Sequence, residues 1–345
     1  DVLGKPNNAS SIHSLGRSAR RRLEKSRNQI AKLIKAPPEN IIFTSGGTEA
    51  NNLAINGEQY SNVIVSSIEH EAVLAAAVNA KKVRVNNEGV INLSELEDLL
   101  ANINGQGLVS IMWANNETGV IQPIKEIVKI ASKYGALVHS DAVQAVGKIP
   151  INFVETGLSM MSVSAHKIGG PTGIGALVVA DNVVLKPVLV GGGQEKGRRS
   201  GTENIIGAIG FGRAAEVVIQ NTGENKKVKD LRDLFETKLS QHFPRVNILA
   251  QNVSRLGNTS AIVMPGVLAE TQVMGFDLEG ICLSAGAACS SGKVKRSHVV
   301  EAMNIGDEPA TNTIRVSFGW DSTEPEIDFL IDTWLKIYER ANKKI

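Results

Sequence analysis

The chain has 345 residues, enough for two cores rather than one. Its 42% hydrophobic and 21% charged content is that of an ordinary globular protein, and a formal charge of +2 gives no electrostatic case for nucleic acid. No apolar run reaches the roughly 18 residues of a membrane span, and Cys282 and Cys289 alone make no disulfide framework, which predicts a reducing, cytoplasmic setting.

In chain order, apolar residues at helical spacing predict a helix over 14–36, ended by Pro37-Pro38. Short apolar runs then alternate with amphipathic ones. Strands are predicted at 41–44, 63–66, 108–113, 137–140, 160–164 and 174–180. Helices are predicted at 48–56, 70–80, 94–103 (opened by a Ser94-x-x-Glu97 capping box) and 124–134. Such alternation implies a largely parallel sheet covered on both faces. Beyond Gly223 the texture changes, with helices at 226–242 and 324–342 around short strands near 246–249 and 258–264. The expectation is an α/β protein of two domains, a large one over 1–222 and a smaller one over 223–345. The basic clusters at 20–22, 196–199 and 293–296 read as solvated faces. Cys282, between Ile281 and Leu283, reads as a buried strand residue.

Ligands of open parallel sheets bind beyond the carboxyl ends of the strands. There this sequence places Ser45-Gly46-Gly47-Thr48-Glu49, Glu69-His70-Glu71, Asn115-Asn116-Glu117-Thr118-Gly119, His139-Ser140-Asp141-Ala142-Val143-Gln144 and Ser164-Ala165-His166-Lys167. Singly, each is a plausible turn or cap. Together they fit pyridoxal 5′-phosphate (PLP), which needs a lysine amine, a carboxylate for its pyridine nitrogen and a cup of N–H and hydroxyl groups for its phosphate. Lys167 and Asp141 supply the first two; residues 45–48 with Ser164 and His166 supply the third; His70 could lie over the ring.

These stretches, with Arg199-Ser-Gly-Thr202, Ser284-Ala-Gly-Ala-Ala-Cys-Ser-Ser-Gly292 and Thr313-Ile-Arg-Val-Ser317, resemble the cysteine desulfurases. Those are the NifS/IscS-like group of class V PLP enzymes with the type I, aspartate aminotransferase-like fold. The resemblance implies removal of sulfur from L-cysteine to give L-alanine and a persulfide on Cys289, for delivery to a sulfur-acceptor or scaffold protein, as in iron–sulfur cluster assembly. It implies Lys167 as the Schiff-base lysine, Asp141 on the pyridine nitrogen and His70 stacked on the ring and assisting proton transfers. Gln144 and Asn116 would lie near the phenolic oxygen, with Asn116 also near the substrate carboxylate that Arg315 clamps. Gly47, Thr48, Ser164 and His166 would cup the phosphate, joined by Thr202 from the partner of a homodimer. Cys289 lies in a run of Gly, Ala and Ser suited to a mobile thiol, in the smaller domain. Residues 6–13 fall inside the family pattern, and the sequence starts there rather than with the family's opening Asn-Ala-Thr segment. Preference for cysteine over selenocysteine is left open by these residues.

Overall fold

A computed structural model of the protein describes Gly4 and residues 8–58, 60–221, 223–286 and 296–342. The chain forms two compact units. One comprises residues 1–83, 93–113 and 123–222, and the other residues 84–92, 114–122 and 223–345. Two short excursions thus join the second unit from within the first part of the chain, which one cut in the sequence does not capture.

The first unit opens with α1 (Ser14–Ile34), whose His13 ring accepts from the Gly16 amide and whose end is closed by Lys35 in a left-handed conformation. Then follow β1 (Ile41–Thr44), α2 (Gly47–Asn56), β2 (Asn62–Ser66), α3 (Glu71–Leu74), β3 (Lys81–Val83), α4 (Leu93–Ala101) and β4 (Gly107–Ser110). The unit continues with α5 (Ile124–Lys133), β5 (Leu137–Asp141), α6 (Phe153–Thr156), β6 (Met160–Ser164), β7 (Gly175–Val179) and α7 (Ile205–Gln220).

Its seven strands lie in the order β1-β7-β6-β5-β4-β2-β3. Strands β3, β2, β4, β5 and β6 pair in parallel, and β7 is antiparallel to both β6 and β1. Every strand except β7 therefore points the same way, and their carboxyl ends share one edge. The sheet is buried through its length. Ile42, Leu53, Val65, Leu108, Met160 and Leu177 pack in one cluster, each such side chain contributing about 1.5–3 kcal/mol by leaving water.

Helix α7 packs along α1, and its glycines set how closely. A Cβ on Gly212 would stand 2.8 Å from the Ser26 Cα, and one on Gly210 would stand 2.3 Å from the Pro171 ring. Three glycines in a uniformly apolar stretch gave this helix no amphipathic signal in the sequence.

Two helix expectations are corrected. The helix expected over 70–80 ends at Leu74, because the chain must turn through Ala77 to Ala80 to bring Lys81 into register with β2. Helix α4 begins at Leu93, which puts Ser94 inside its first turn instead of at a capping box.

The second unit contains α8 (Glu224–His242), β8 (Asn247–Ile248), β9 (Thr259–Val263), α9 (Ala269–Leu278), β10 (Ser284–Ala285), α10 (His298–Ala302), α11 (Asp307–Asn312), β11 (Thr313–Ser317) and α12 (Glu324–Asn342). Its antiparallel sheet runs β10-β11-β9-β8. Phe235, Ile262, Phe276, Ile314 and Trp334 form its core. Cys282 is exposed, against expectation. It precedes the two-residue β10, and alternation turns its neighbours Ile281 and Leu283 toward that core while the thiol faces out.

Candidate active site

The shared carboxyl edge of the large sheet gathers most of the residues singled out in the sequence. Asp141 ends β5, and Lys167 lies in the 3-10 turn Ala165–Ile168 directly after the adjacent strand β6. Gly47 and Thr48 open α2 after β1, and His70 caps α3 after β2.

Asp141 is buried at 6% exposure, yet both its oxygens are engaged. Its Oδ2 accepts from Asn51 Nδ2 at 2.7 Å and its Oδ1 from the Val143 amide at 3.0 Å. Burial pushes this carboxyl above the ordinary range, while Asn51, Val143, His70 and Lys167 oppose that rise. A carboxylate so placed is stabilised by a cationic N–H donor. Asn51 was not among the residues picked out in the sequence. It lies three residues beyond Thr48, one turn along α2, and that spacing was the available signal.

The start of α2 has the features of an anion site. Gly46 provides no side-chain cap, so the first amides of the helix have no intrahelical acceptor. Backbone packs closely here. A Cβ on Gly175 of β7 would lie 2.8 Å from Gly46 Cα, and one on Gly47 would lie 2.8 Å from Val143 Cγ2 and 3.7 Å from Ser164 Cβ. Ser164 Oγ and His166 Nδ1 stand 2.9 Å apart beside this loop. Partial burial, then the Lys167 ammonium, push His166 below its usual pKa. Two residues on, the Glu49 carboxylate accepts from the Ser45 amide and from Arg199 Nε, both at 2.8 Å. Against burial, which raises it, Arg199 and Ser45 hold that carboxyl below its usual value. This pair ties the phosphate-type loop to the strand of chain that carries exposed Thr202.

The His70 Nδ1 accepts from the Ala72 amide at 3.0 Å, which leaves Nε2 as the ring nitrogen that bears hydrogen. Its neighbour Glu69 is fully buried, with Oε1 accepting from the Met112 amide at 2.8 Å. Burial, reinforced by the Asp141 charge and opposed by the Met112 amide, raises the Glu69 carboxyl well above the ordinary range. Below the edge, His139 bridges Ser110 of β4 at 2.8 Å and Ser162 of β6 at 2.9 Å. Burial lowers its pKa to about 3, so it is neutral. The half-buried Gln144 accepts from Lys148 Nζ at 2.6 Å.

The remaining two polar candidates, Asn116 and Arg315, meet in the second unit. Arg315 Nη1 donates to the Asn116 carbonyl at 2.8 Å, Nη2 to Ser284 Oγ at 3.0 Å and Nε to Ser317 Oγ at 3.1 Å. Burial pushes the guanidinium below its usual pKa, opposed by the charge of Glu117. Cys289 lies outside the described residues.

The chemistry of this donor set fits PLP. A buried carboxylate stands at one strand end, a helix start offers its first amides, and an exposed lysine amine lies on the adjacent strand end. The family described as aminotransferase class-V matches residues 3–330. The chain belongs to that family. Class V enzymes are PLP-dependent, and so is this one.

Within the family its relatives are specific. It is 38% identical to "Cysteine desulfurase IscS" of Dictyoglomus turgidum over 96% of this chain and 88% of that protein. It is 37% identical to "IscS-like cysteine desulfurase" of Mycobacterium tuberculosis over 97% of this chain and 90% of that one. The crystal structure of a NifS-like protein from Rickettsia africae superposes with a TM-score of 0.92 at 41% identity, covering 98% of this chain and 93% of that one. The type I architecture expected from the sequence is the fold observed. Among the described residues no helix is long and apolar enough to cross a membrane, and no cluster of His, Cys, Asp and Glu could hold a metal ion.

Proposed function

We infer that this class V enzyme is a cysteine desulfurase. The observation that carries the reading is the placement of Lys167 and Asp141 at adjacent carboxyl ends of the sheet, beside the open start of α2, in a chain whose relatives bear that name. Net reaction converts L-cysteine and the Cys289 thiol into L-alanine and a Cys289 persulfide. The carbon–sulfur bond breaks, a sulfur–sulfur bond forms, and the carbon left behind takes a proton.

When bound, PLP supplies an electron sink for the bond changes at the substrate carbons. The chain does the rest. Asp141, held by Asn51 and Val143, accepts the hydrogen of the cofactor's ring nitrogen and keeps that nitrogen cationic. The amides of Gly47 and Thr48 with Ser164 and His166 would hold the phosphate, and Gln144 and Asn116 would be the residues for the phenolic oxygen. Lys167 Nζ would anchor the cofactor and, as a free amine, would move the proton at the substrate α-carbon. His70 would lie over the ring, with Nε2 as its hydrogen-bearing nitrogen. Arg315 takes the substrate carboxylate with a geometry matched to it. The Cys289 thiolate is the nucleophile toward the substrate sulfur.

A homodimer in which Thr202 reaches the partner's phosphate, a cytoplasmic setting and hand-over of sulfur to an acceptor protein, as for iron–sulfur clusters, complete the reading. The large domain over 1–222 would bind the cofactor, and 223–345 would carry the Cys289 loop. The test is alanine and sulfide release from L-cysteine with PLP and a thiol reductant. Wild type should form both products in equal amounts. Cys289→Ser should form neither while keeping the cofactor's visible absorbance, and Lys167→Ala should lose the band that borohydride fixes to protein. Equal turnover by Cys289→Ser would overturn the reading.

A further inference from the structure

Glu49 lies in the first turn of α2, one residue beyond Thr48. Its Oε2 accepts from the Ser45 amide at 2.8 Å, so the carboxylate stands one hydrogen bond from the loop proposed for the cofactor phosphate. An acidic residue at a helix start is ordinarily favourable, because it answers the positive end of the helix dipole. Here it competes with the ligand. A phosphate brings negative charge to the amides of the same helix start, and a carboxylate beside them repels it.

The chain supplies an opposing charge from 150 residues away. Arg199 Nε donates to Glu49 Oε1 at 2.8 Å and Nη2 to Oε2 at 3.2 Å, a two-point contact that matches guanidinium to carboxylate. The Arg199 and Glu49 side chains are 20% and 16% exposed, so water and salt screen either charge weakly. The Glu49 hydrogen bond, against burial and with the charges of Glu49, Glu195 and Glu203 adding to it, holds the guanidinium above its usual pKa. The stretch that presents Arg199 is itself pinned. The Ser200 amide donates to the Leu189 carbonyl at 3.1 Å, the Ser200 hydroxyl to the Gly192 carbonyl at 2.7 Å and the Gly201 amide to Gln194 Oε1 at 3.1 Å. Closing the loop does not by itself need a charge, since a glutamine oxygen would serve the Ser45 amide as well.

We propose that Arg199 is a positioning residue for the cofactor phosphate, acting through Glu49. By cancelling the Glu49 charge it lets that carboxylate close the 45–48 loop without repelling the phosphate. This rests on the reading of the α2 start as the phosphate site.

The test is equilibrium dialysis of the whole chain, stripped of cofactor, against PLP and against pyridoxal, which lacks the phosphate. Wild type is compared with Arg199→Gln, Arg199→Lys, Glu49→Gln, the double variant Glu49→Gln, Arg199→Gln, and Ser164→Ala. Arg199→Gln should weaken PLP by about tenfold, the scale of one uncompensated charge near the ligand, and leave pyridoxal within about twofold. Arg199→Lys keeps the charge and should hold PLP within about threefold of wild type. Glu49→Gln should bind PLP as tightly as wild type or more so. The double variant should recover to within about threefold, because the carboxylate that repels is gone. A loss that ran through a loosened 193–202 stretch, Thr202 included, would persist in the double variant and overturn the proposal. So would wild-type PLP affinity in Arg199→Gln, or equal losses toward PLP and pyridoxal. Where Arg199→Gln fails to fold, Glu49→Gln decides: a tenfold weaker grip on PLP overturns the proposal, and an undiminished one supports it. Ser164→Ala should weaken PLP more than pyridoxal; equal affinities to wild type there would instead overturn the reading of the α2 start as the phosphate site.

Discussion

At Glu69 the chain buries a carboxyl completely beside a second one, Asp141. Two like charges in a medium of low polarity do not coexist cheaply, and burial raises both carboxyls. Burial and the Asp141 charge raise Glu69 well above its ordinary value against the Met112 amide, whereas Asn51, Val143, His70 and Lys167 oppose the rise that burial causes at Asp141. A neutral acid is well imitated by an amide. Glu69→Gln should therefore unfold within about 1 kcal/mol of wild type in urea, within the range of a conserved hydrogen bond. Asp141→Asn should retain the fold and lose affinity for PLP, read by equilibrium dialysis of the cofactor. A loss of several kcal/mol in Glu69→Gln would show that Glu69 is ionised. The sequence displayed Glu69 only as the neighbour of His70. Its raised pKa is set by burial and by the distant Asp141 charge, which no local pattern announces.

Among the elements, β1 is an edge strand, and its exposed ladder is closed by a side chain. Glu195 accepts from the Phe43 amide at 2.9 Å and from both Arg27 Nη atoms at 2.8 Å, while Arg27 Nη1 also donates to the Ile41 carbonyl at 2.6 Å. One bidentate pair thereby joins α1, β1 and the 193–202 stretch. Glu195 and Lys196 accept left-handed backbone at φ +46° and +59° to make the reach. Removing Glu195 leaves the buried Arg27 with only the half-exposed Glu24, 3.2 Å from its Nε, so Glu195→Ala should lose about 3 kcal/mol in chemical denaturation. The double variant Arg27→Met, Glu195→Leu should recover most of that loss, because the desolvation of both charges disappears with them. Equal losses in the single and double variants would mean that the left-handed turn, not the ion pair, sets the energy.

For the whole molecule, acid stability follows from His139. Its pKa falls from about 6.5 in the unfolded chain to about 3 in the folded one because the imidazole is buried between Ser110 and Ser162. A depressed base binds its proton in the unfolded state first. Its contribution is thus complete above about pH 6.5 and is lost as pH falls toward 3, at about 1.4 kcal/mol per pH unit. Glu69 has the opposite sign, since a raised carboxyl favours the fold at low pH and the gain fades as pH rises through its folded pKa. The two are separated by difference. Unfolding free energies of His139→Gln, measured across pH 4–7, should be flatter than wild type by about that slope. Parallel curves would place the proton elsewhere.

The sequence by itself determined the order of the strands along the chain and the residues at their ends. Apolar runs of four or five residues, each followed by Gly, Ser, Asp or Lys, are local signals, and from them Asp141, Lys167, His70 and the Gly47-Thr48 start of α2 were legible. What the tertiary structure decided depends on partners far along the chain. It placed β7 against its neighbours, tucked the glycine-rich α7 on α1, and sent 84–92 and 114–122 to the second unit. It also set Asn51 on Asp141, closed β1 with Glu195 and joined Glu117 to Gly286 and Ser297 across nearly half the sequence. A hydrogen-bonding side chain looks the same in sequence whether water or a distant carboxylate will satisfy it. Only burial, which removes the water, selects the partner.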